Sequence, residues 1–187
     1  MARWKPGTAD RMQKAALELF ATRGFDQTTA QEIAQAVGLT ERTFFRHFSD
    51  KREVLFHRQD EFADAFRAGV ARSPADAPPI EVIASALRSS ADFFPDDLRP
   101  WSRRRHEVIS GCPALREREQ HKLVVLAGVL ADELRARGVD ATRATLAART
   151  GVAVFQTAFE LWLAEGEERA LDAIAVRVLA DLREVLA

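Results

Sequence analysis

The chain has 187 residues, 47% of them hydrophobic, with twelve Phe and three Trp, which is enough apolar matter for a packed core and too much for a disordered chain. No run approaches the ~18 continuous apolar residues of a membrane span, the opening MARWKPGTADR lacks the apolar stretch of a secretory signal, and the lone Cys112 leaves no internal disulfide or multi-cysteine zinc site. Net charge is −1, but residues 1–60 carry ten Lys/Arg against eight Asp/Glu while 61–187 carry 17 against 20; a cytoplasmic protein with a mildly basic front is expected.

In chain order, almost everything reads as helix. Ala, Leu, Arg and Glu dominate and no period-2 segment stands out. About nine helices are expected, over 9–23, 29–37, 40–47, 50–72, 79–93, 96–110, 113–137, 140–164 and 167–186. Gly24, Gly38, Gly111, Gly138 and Gly166 punctuate their ends, and Pro74, Pro78, Pro79, Pro95 and Pro113 fall between them or at their starts. Residues 71–79 form the most linker-like loop. The first three helices are too short to stand alone, so they must pack as a trihelical unit. The fold class is all-α: a three-helix helix-turn-helix domain over 1–48, then a larger helical bundle over 49–187 for ligand binding and dimerisation. The fourth helix joins the two and is the natural lever.

Thr8 is expected to cap the first helix, whose apolar stripe is Met12, Ala15, Ala16, Leu19 and Phe20. Gly24 fits a left-handed residue past its end, letting Phe25 touch Phe20. Thr29 with Glu32 is a capping box, opening a second helix with Ile33, Ala34 and Val37 inward. Gly38 ends it after barely two turns. Thr40 then caps a third helix, stapled by Leu39 and Phe44. Two short helices joined by a glycine turn make helix-turn-helix geometry, with Ala34 at the crossing. In the third helix Phe44 and Phe48 share the inner face. Arg42, Thr43, Arg46 and His47 share another, whose donors suit base edges and phosphates. Lys51 follows in the first turn of the next helix. Ser49 or Asp50 caps that helix, whose amides can hold a phosphate. Solvated charge accounts for any one of these residues; the set points to double-stranded DNA.

The run LELFATRGFDQTTAQEIAQAVGLTERTFFRHFSDKREVLF resembles the N-terminal domain of the tetracycline-repressor (TetR) family, a likeness covering about 48 of the 187 residues. The resemblance implies an all-helical homodimer with a divergent C-terminal domain that binds ligand and dimerises. Its DNA contacts fall here on Gln31, Glu41, Arg42, Thr43, Phe45, Arg46, His47 and Lys51. The family usually carries Tyr at position 45, where its hydroxyl reaches a phosphate. Phe45 lacks that hydroxyl and is left to pack against sugar or a thymine methyl. Glu41 can accept from a cytosine amino group or make no direct contact.

Beyond residue 60 the pattern is less specific. Val152, Phe155, Phe159 and Trp162, with Gln156 beside them, form a stripe that reads as core or as the wall of a sensing pocket. Phe93, Phe94, Trp101, Ile109 and Leu126 are further pocket candidates, since a buried Trp nitrogen needs a partner. Arg103, Arg104, Arg105 and His106 read as a solvated face or as an anion site at the pocket mouth, Arg105 being the candidate. The stretch RRRHEVISGCPALRER, with TERTFFR, resembles the TetR branch with an acyl-CoA-like ligand-binding domain, which implies an effector that is an acyl thioester or similar amphipathic anion. Leu171, Ile174, Ala175, Val178, Leu179, Leu182 and Leu186 form a wide stripe on the last helix. Such a stripe needs a partner, either its own bundle or, as the TetR resemblance implies, a four-helix dimer interface with the eighth helix, for which Leu171, Ile174, Val178 and Leu182 are the candidates.

Other classes fit less well. There is no glycine-rich phosphate loop, no His-Glu-x-x-His and no G-x-S-x-G. His57, His106 and His121 have no evident catalytic partners, and Cys112 before Pro113 reads as a loop thiol. Neither an enzyme nor a metal or cofactor is expected. A protein-binding adaptor does not explain the donor face of the third helix. The expected function is a dimeric, ligand-responsive regulator that reads a near-palindromic operator and releases it on binding a small molecule, a repressor first and an activator as the alternative, since the sequence does not fix the sign.

Overall fold

A computed structural model describes residues 7–185; among them the chain forms nine α-helices and no strand. They are α1 (Thr8–Arg23), α2 (Ala30–Ala36), α3 (Glu41–His47), α4 (Gln59–Arg72), α5 (Pro79–Ser90), α6 (Arg99–Ser110), α7 (Pro113–Ala136), α8 (Ala141–Leu163) and α9 (Leu171–Val185). Leu186, the end of the expected apolar stripe, lies outside the described residues.

Three expected helices are interrupted. The segment 50–72 resolves into a 3-10 turn, Arg52–Leu55, and α4. Val54, Leu55 and Phe56 are consecutive and all buried, which one stripe of a straight helix cannot achieve. The segment 79–93 stops as an α-helix at Ser90 and tightens into Ala91–Phe93, because the residue before Pro95 is steered away from helix. The segment 96–110 opens with a 3-10 turn, Asp96–Leu98, and Pro100 then sits at the second position of α6, where a missing N–H does no harm. At the front, Gly7 rather than Thr8 is the capping position: its N–H donates to Asp10 Oδ2 at 2.9 Å.

The chain divides into two compact units. The first holds the chain up to Arg58 together with Arg103–Glu119, and the second holds Gln59–Ser102 with the chain from Gln120 onward. Both α6 and α7 pass from one unit to the other, whereas α4 lies wholly in the second.

In the first unit α1 packs on α2 and on the Arg52–Leu55 turn, and α2 packs on α3. Met12, Ala16, Leu17 and Phe20 are buried along α1, as are Ile33, Ala34, Phe44 and Phe48 on the next two helices. Leu17 takes the place expected of Leu19, which is only half-buried. Full burial of each large side chain contributes roughly 1.5–3 kcal/mol. Gln13, also buried, donates to Leu55 O at 3.3 Å. Residues 103–119 tie in through their arginines. Arg105 Nε donates to Leu55 O at 3.1 Å, its Nη1 reaches Glu119 Oε1 at 3.4 Å, and it stacks over the Phe56 ring. Arg118 pairs with Glu53, and Arg104 with Glu18 at 2.7 Å.

In the second unit α5 packs against α4, α8 and α9. Two glycines permit the closest approaches. A Cβ on Gly69 of α4 would stand 2.5 Å from Ala86 Cα of α5, and one on Gly151 of α8 would stand 2.7 Å from Ile83 Cγ2 of α5. Arg137 donates to the carbonyls of Val70, Ser73 and Pro74, tying the end of α4 and the residues just beyond it to the end of α7. Arg99, 9% exposed, holds the loop between α8 and α9, donating to Asp96 Oδ1 and to the carbonyls of Glu167 and Arg169.

Candidate nucleic-acid interface

The geometry of α2 and α3 follows from their caps and the turn between them. Thr29 Oγ1 accepts from Glu32 N at 3.1 Å, and Glu32 Oε2 accepts in return from Thr29 N at 2.8 Å. These bonds to Thr29, with a smaller contribution from Arg23, hold the Glu32 carboxyl below its ordinary pKa. After Ala36 the chain reverses through Gly38, whose φ of +75° is a conformation that side chains other than glycine's strain to adopt. Leu39 N returns to Ala34 O at 2.9 Å, and Arg11 Nη2 donates to Val37 O at 2.5 Å. Thr40 Oγ1 accepts from Thr43 N at 3.3 Å and opens α3.

Only seven residues long, α3 divides into two faces. Phe44 and Phe48 are buried, with ring centroids 4.9 Å apart. Glu41, Arg42, Phe45, Arg46 and His47 are exposed, as is Gln31 on α2. Thr43 is half-buried, its hydroxyl 3.1 Å from that of Thr40. Phe45 is 52% exposed, yet its ring lies edge-on to Phe44 at 5.4 Å. An apolar ring is thus presented to solvent among two guanidinium groups, an imidazole and a carboxylate. Such a surface can donate to guanine acceptors and phosphates and offer an apolar contact to a thymine methyl.

Lys51 departs from expectation. Its ammonium turns back into the unit, donating to Phe25 O at 2.6 Å and Thr28 O at 2.8 Å and lying 4.0 Å from the Phe25 ring centroid. The amides expected to await a phosphate are also occupied. Asp50 Oδ1 accepts from Arg52 N at 2.7 Å and Glu53 N at 3.2 Å.

The candidate pocket residues fall in both units. Phe93, Phe94, Phe155, Phe159 and Trp162 come together in the second, with Phe94 within 5.0–6.1 Å of the other four rings. Phe62 and Phe66 of α4 join them, Phe62 lying 5.2 Å and Phe66 5.5 Å from Phe155. Their i, i+4 spacing was the available signal, and sequence reasoning missed it. Leu126 is buried in the same core, and Gln156 is half-buried. Trp162 Nε1 donates to Asp96 Oδ1 at 3.2 Å, whereas Trp101 Nε1 is buried without a partner. Ile109 and Arg105 belong to the first unit. Arg105 is not a free anion holder: its donors serve Leu55 and Glu119, and burial pulls its pKa below the ordinary value. The rest of that basic run is likewise engaged, with Arg104 on Glu18 and His106 Nε2 3.3 Å from Ser110 Oγ.

Two residues of the candidate dimer stripe need correction. Leu171 and Ile174 are buried within the chain's own core, and Val178 and Leu182 pack against that core. Leu171 and Ile174 thus serve the packing of α9 on α5 and α8, whereas Val178 and Leu182 are half-buried. Among the described residues of these two helices, the large apolar side chains left exposed are Leu146 and Leu161 on α8 and Val176 and Val185 on α9.

A short helix with a polar outer face, set across a glycine turn from its supporting helix, defines a DNA-binding helix-turn-helix. Residues 14–57 match the family model of bacterial regulatory proteins of the tetR family, and residues 77–187 match that of the MftR C-terminal domain. The chain belongs to the TetR family of transcriptional regulators, which are not enzymes. It is 39% identical over 82 residues to the HTH-type transcriptional regulator TcmR of Streptomyces glaucescens, a match covering 44% of this chain and 36% of TcmR. It is 29% identical over 90 residues to the HTH-type transcriptional regulator YerO of Bacillus subtilis, covering 46% and 31%. The matches therefore span about a third of the length of these curated relatives. Thermus thermophilus FadR, a TetR-family transcriptional repressor solved in complex with lauroyl-CoA, superposes with a TM-score of 0.55 at 25% identity, covering 96% of this chain and 95% of that one. The fatty acid degradation regulator FadR of Bacillus halodurans gives 0.57 at 18% identity, covering 96% of each. No helix among the described residues is long and apolar enough to cross a membrane.

Proposed function

We propose that the chain is a homodimeric, ligand-responsive repressor that reads a near-palindromic operator in the cytoplasm. The observation that carries this reading is the division of α3, with Phe44 and Phe48 anchored inside and Glu41, Arg42, Phe45, Arg46 and His47 exposed outside. Arg42 and Arg46 are assigned to guanine edges or phosphates, Phe45 to an apolar contact, and Gln31, Glu41, Thr43 and His47 to the remaining contacts. The DNA-reading role belongs to residues 1–48 and the sensing and dimerisation roles to 49–187.

Dimerisation is assigned to α8 and α9. Leu146, Ala153 and Leu161 recur at two-turn intervals and are exposed, as are Ala173 and Val176 on α9. Two such helices from each copy make a four-helix interface, and a two-fold axis sets the recognition helices about one DNA turn, roughly 34–36 Å, apart. Leu161→Glu is expected to give monomers by sedimentation with helicity intact.

The effector is assigned to the aromatic cluster around Phe94, which suits the chain of an acyl thioester; the relative solved with lauroyl-CoA supports that class. A 100-fold loss of operator affinity needs about 2.7 kcal/mol of differential effector binding. The route assigned to it is α6 and α7, which belong to both units and whose Arg105 and Arg118 grip the turn following α3. Titration of the protein–operator complex with lauroyl-CoA tests this reading. Release at micromolar ligand supports it, while unchanged binding and unchanged Trp fluorescence remove acyl thioesters as the effector class.

A further inference from the structure

We infer that Lys51 is a positioning residue rather than a phosphate contact: its ammonium fixes the turn that delivers α2, and so sets the register of the α2–α3 reading surface. The inference rests on the DNA-reading function proposed above. A lysine that serves a phosphate holds its head in water, ready for the anion. The Lys51 head is instead committed to two carbonyls at 2.6 and 2.8 Å and to the face of Phe25. These acceptors belong to one tight structure. Thr28 is 1% exposed, its N–H donates to Phe25 O at 3.3 Å, and its hydroxyl donates to Gly24 O at 2.9 Å. Phe25 in turn packs on Phe20 of α1, centroids 5.1 Å apart.

The placement in the chain gives this clasp its consequence. Lys51 lies four residues after the end of α3, and Thr28 lies one residue before the Thr29 cap of α2. The ammonium therefore closes a bracket around the two helices, joining the segment that leaves α3 to the turn that enters α2. A cation is well suited to the task, because bonds from an ionised donor are stronger than neutral ones and the ring face attracts the same charge. Moving the head out to a phosphate would take the ammonium from both carbonyls, leave Phe25 O with only the Thr28 N–H, and loosen the turn that positions Gln31.

Lys51→Met keeps the stem and removes the charge and the donors. Its binding to a selected operator and to random duplex DNA, over a series of salt concentrations, separates the two roles. A positioning residue predicts operator affinity lowered by about tenfold or more at every salt, an unchanged salt slope, and unchanged affinity for random DNA. A slope shallower by about 1.8, with equal loss on both duplexes, overturns the inference, since a dimer that loses one phosphate contact in each protomer loses about 0.9 for each. A second measurement needs no DNA and uses the wild-type protein labelled with 15N-lysine. The Lys51 ammonium should exchange slowly with water and be shifted upfield by the Phe25 ring, and Phe25→Leu should abolish that shift. Exchange as fast as that of the solvated lysines refutes the clasp whatever the DNA result. Absence of any operator preference in the wild type, with a protected ammonium, rejects the DNA-reading function and leaves the clasp standing.

Discussion

Gly69→Ala and Gly128→Ala make the same chemical change inside a helix and should move stability in opposite directions. Alanine is favoured over glycine in a helix interior by about 0.8–1 kcal/mol, and both variants receive that gain. At Gly128 in α7 nothing lies within 4 Å of the added carbon, so the gain stands alone. At Gly69 the methyl would enter the backbone of α5, within contact distance of Ser85 O, 2.5 Å from Ala86 Cα and 2.7 Å from Ser85 C, where ordinary contacts run from 3.4 to 4 Å. Backbone cannot rotate away as a side chain does, so the two helices must separate by roughly an ångström. Overpacking of that kind costs roughly 1–3 kcal/mol. Separation also strains the 2.8 Å bond from Ser85 Oγ to Gly69 O, worth about 1 kcal/mol. The net expectation is a loss of ~1–3 kcal/mol for Gly69→Ala and a gain of ~0.8–1 kcal/mol for Gly128→Ala. Urea unfolding followed by circular dichroism measures both, with the m-value checked because two units need not unfold together. If Gly69→Ala proves no less stable than Gly128→Ala, the helices do not pack at the spacing described, and the account of α4 and α5 fails.

Other outcomes follow from single contacts. Arg46→Ala or Arg42→Ala should lower affinity for a selected operator by ~1–3 kcal/mol if that residue reads a base, seen as relaxed preference at one position of the half-site; unchanged preference removes it from the readers. Thr29→Ala removes the cap of α2 and should cost about 1 kcal/mol of stability, measured by chemical unfolding, with Thr29→Ser close to wild type. The Glu167 carboxyl is held below its ordinary 4.5, at about 2, chiefly by its bonds to the Arg169 side chain and N–H. A pKa depressed in the folded state contributes stability that is present above pH 4.5 and lost as the pH falls from there toward 2. A carboxyl titration by NMR with its midpoint near 4.5 would contradict that contact.

The elements legible in the sequence are those whose causes are local. Thr29 with Glu32, Thr40 and Gly38 act within three or four residues, so α2, the turn and α3 are all readable from the string, as are Phe44 and Phe48 on one face. What escaped the reading depends on partners far along the chain. Nothing near Lys51 shows that its head will meet the carbonyls of Phe25 and Thr28, and nothing near Arg105 points to Leu55. The apolar period of α9 shows a stripe that needs a partner, but periodicity cannot say which partner covers it. Leu171 and Ile174 face their own core, while Leu146, Leu161, Val176 and Val185 are left exposed on α8 and α9. Phe62 and Phe66 were passed over because an apolar i, i+4 pair marks any core helix, and only the packing of α4 and α5 brings them to Phe155.

The most direct test of the central claim is selection of bound sequences from a random duplex library by the purified full chain, at two salt concentrations. A dimeric operator reader predicts an enriched near-palindrome whose half-sites lie about one helical turn apart, with preference weakened by Arg46→Ala. Retention that depends on salt and shows no sequence preference at either concentration would contradict it.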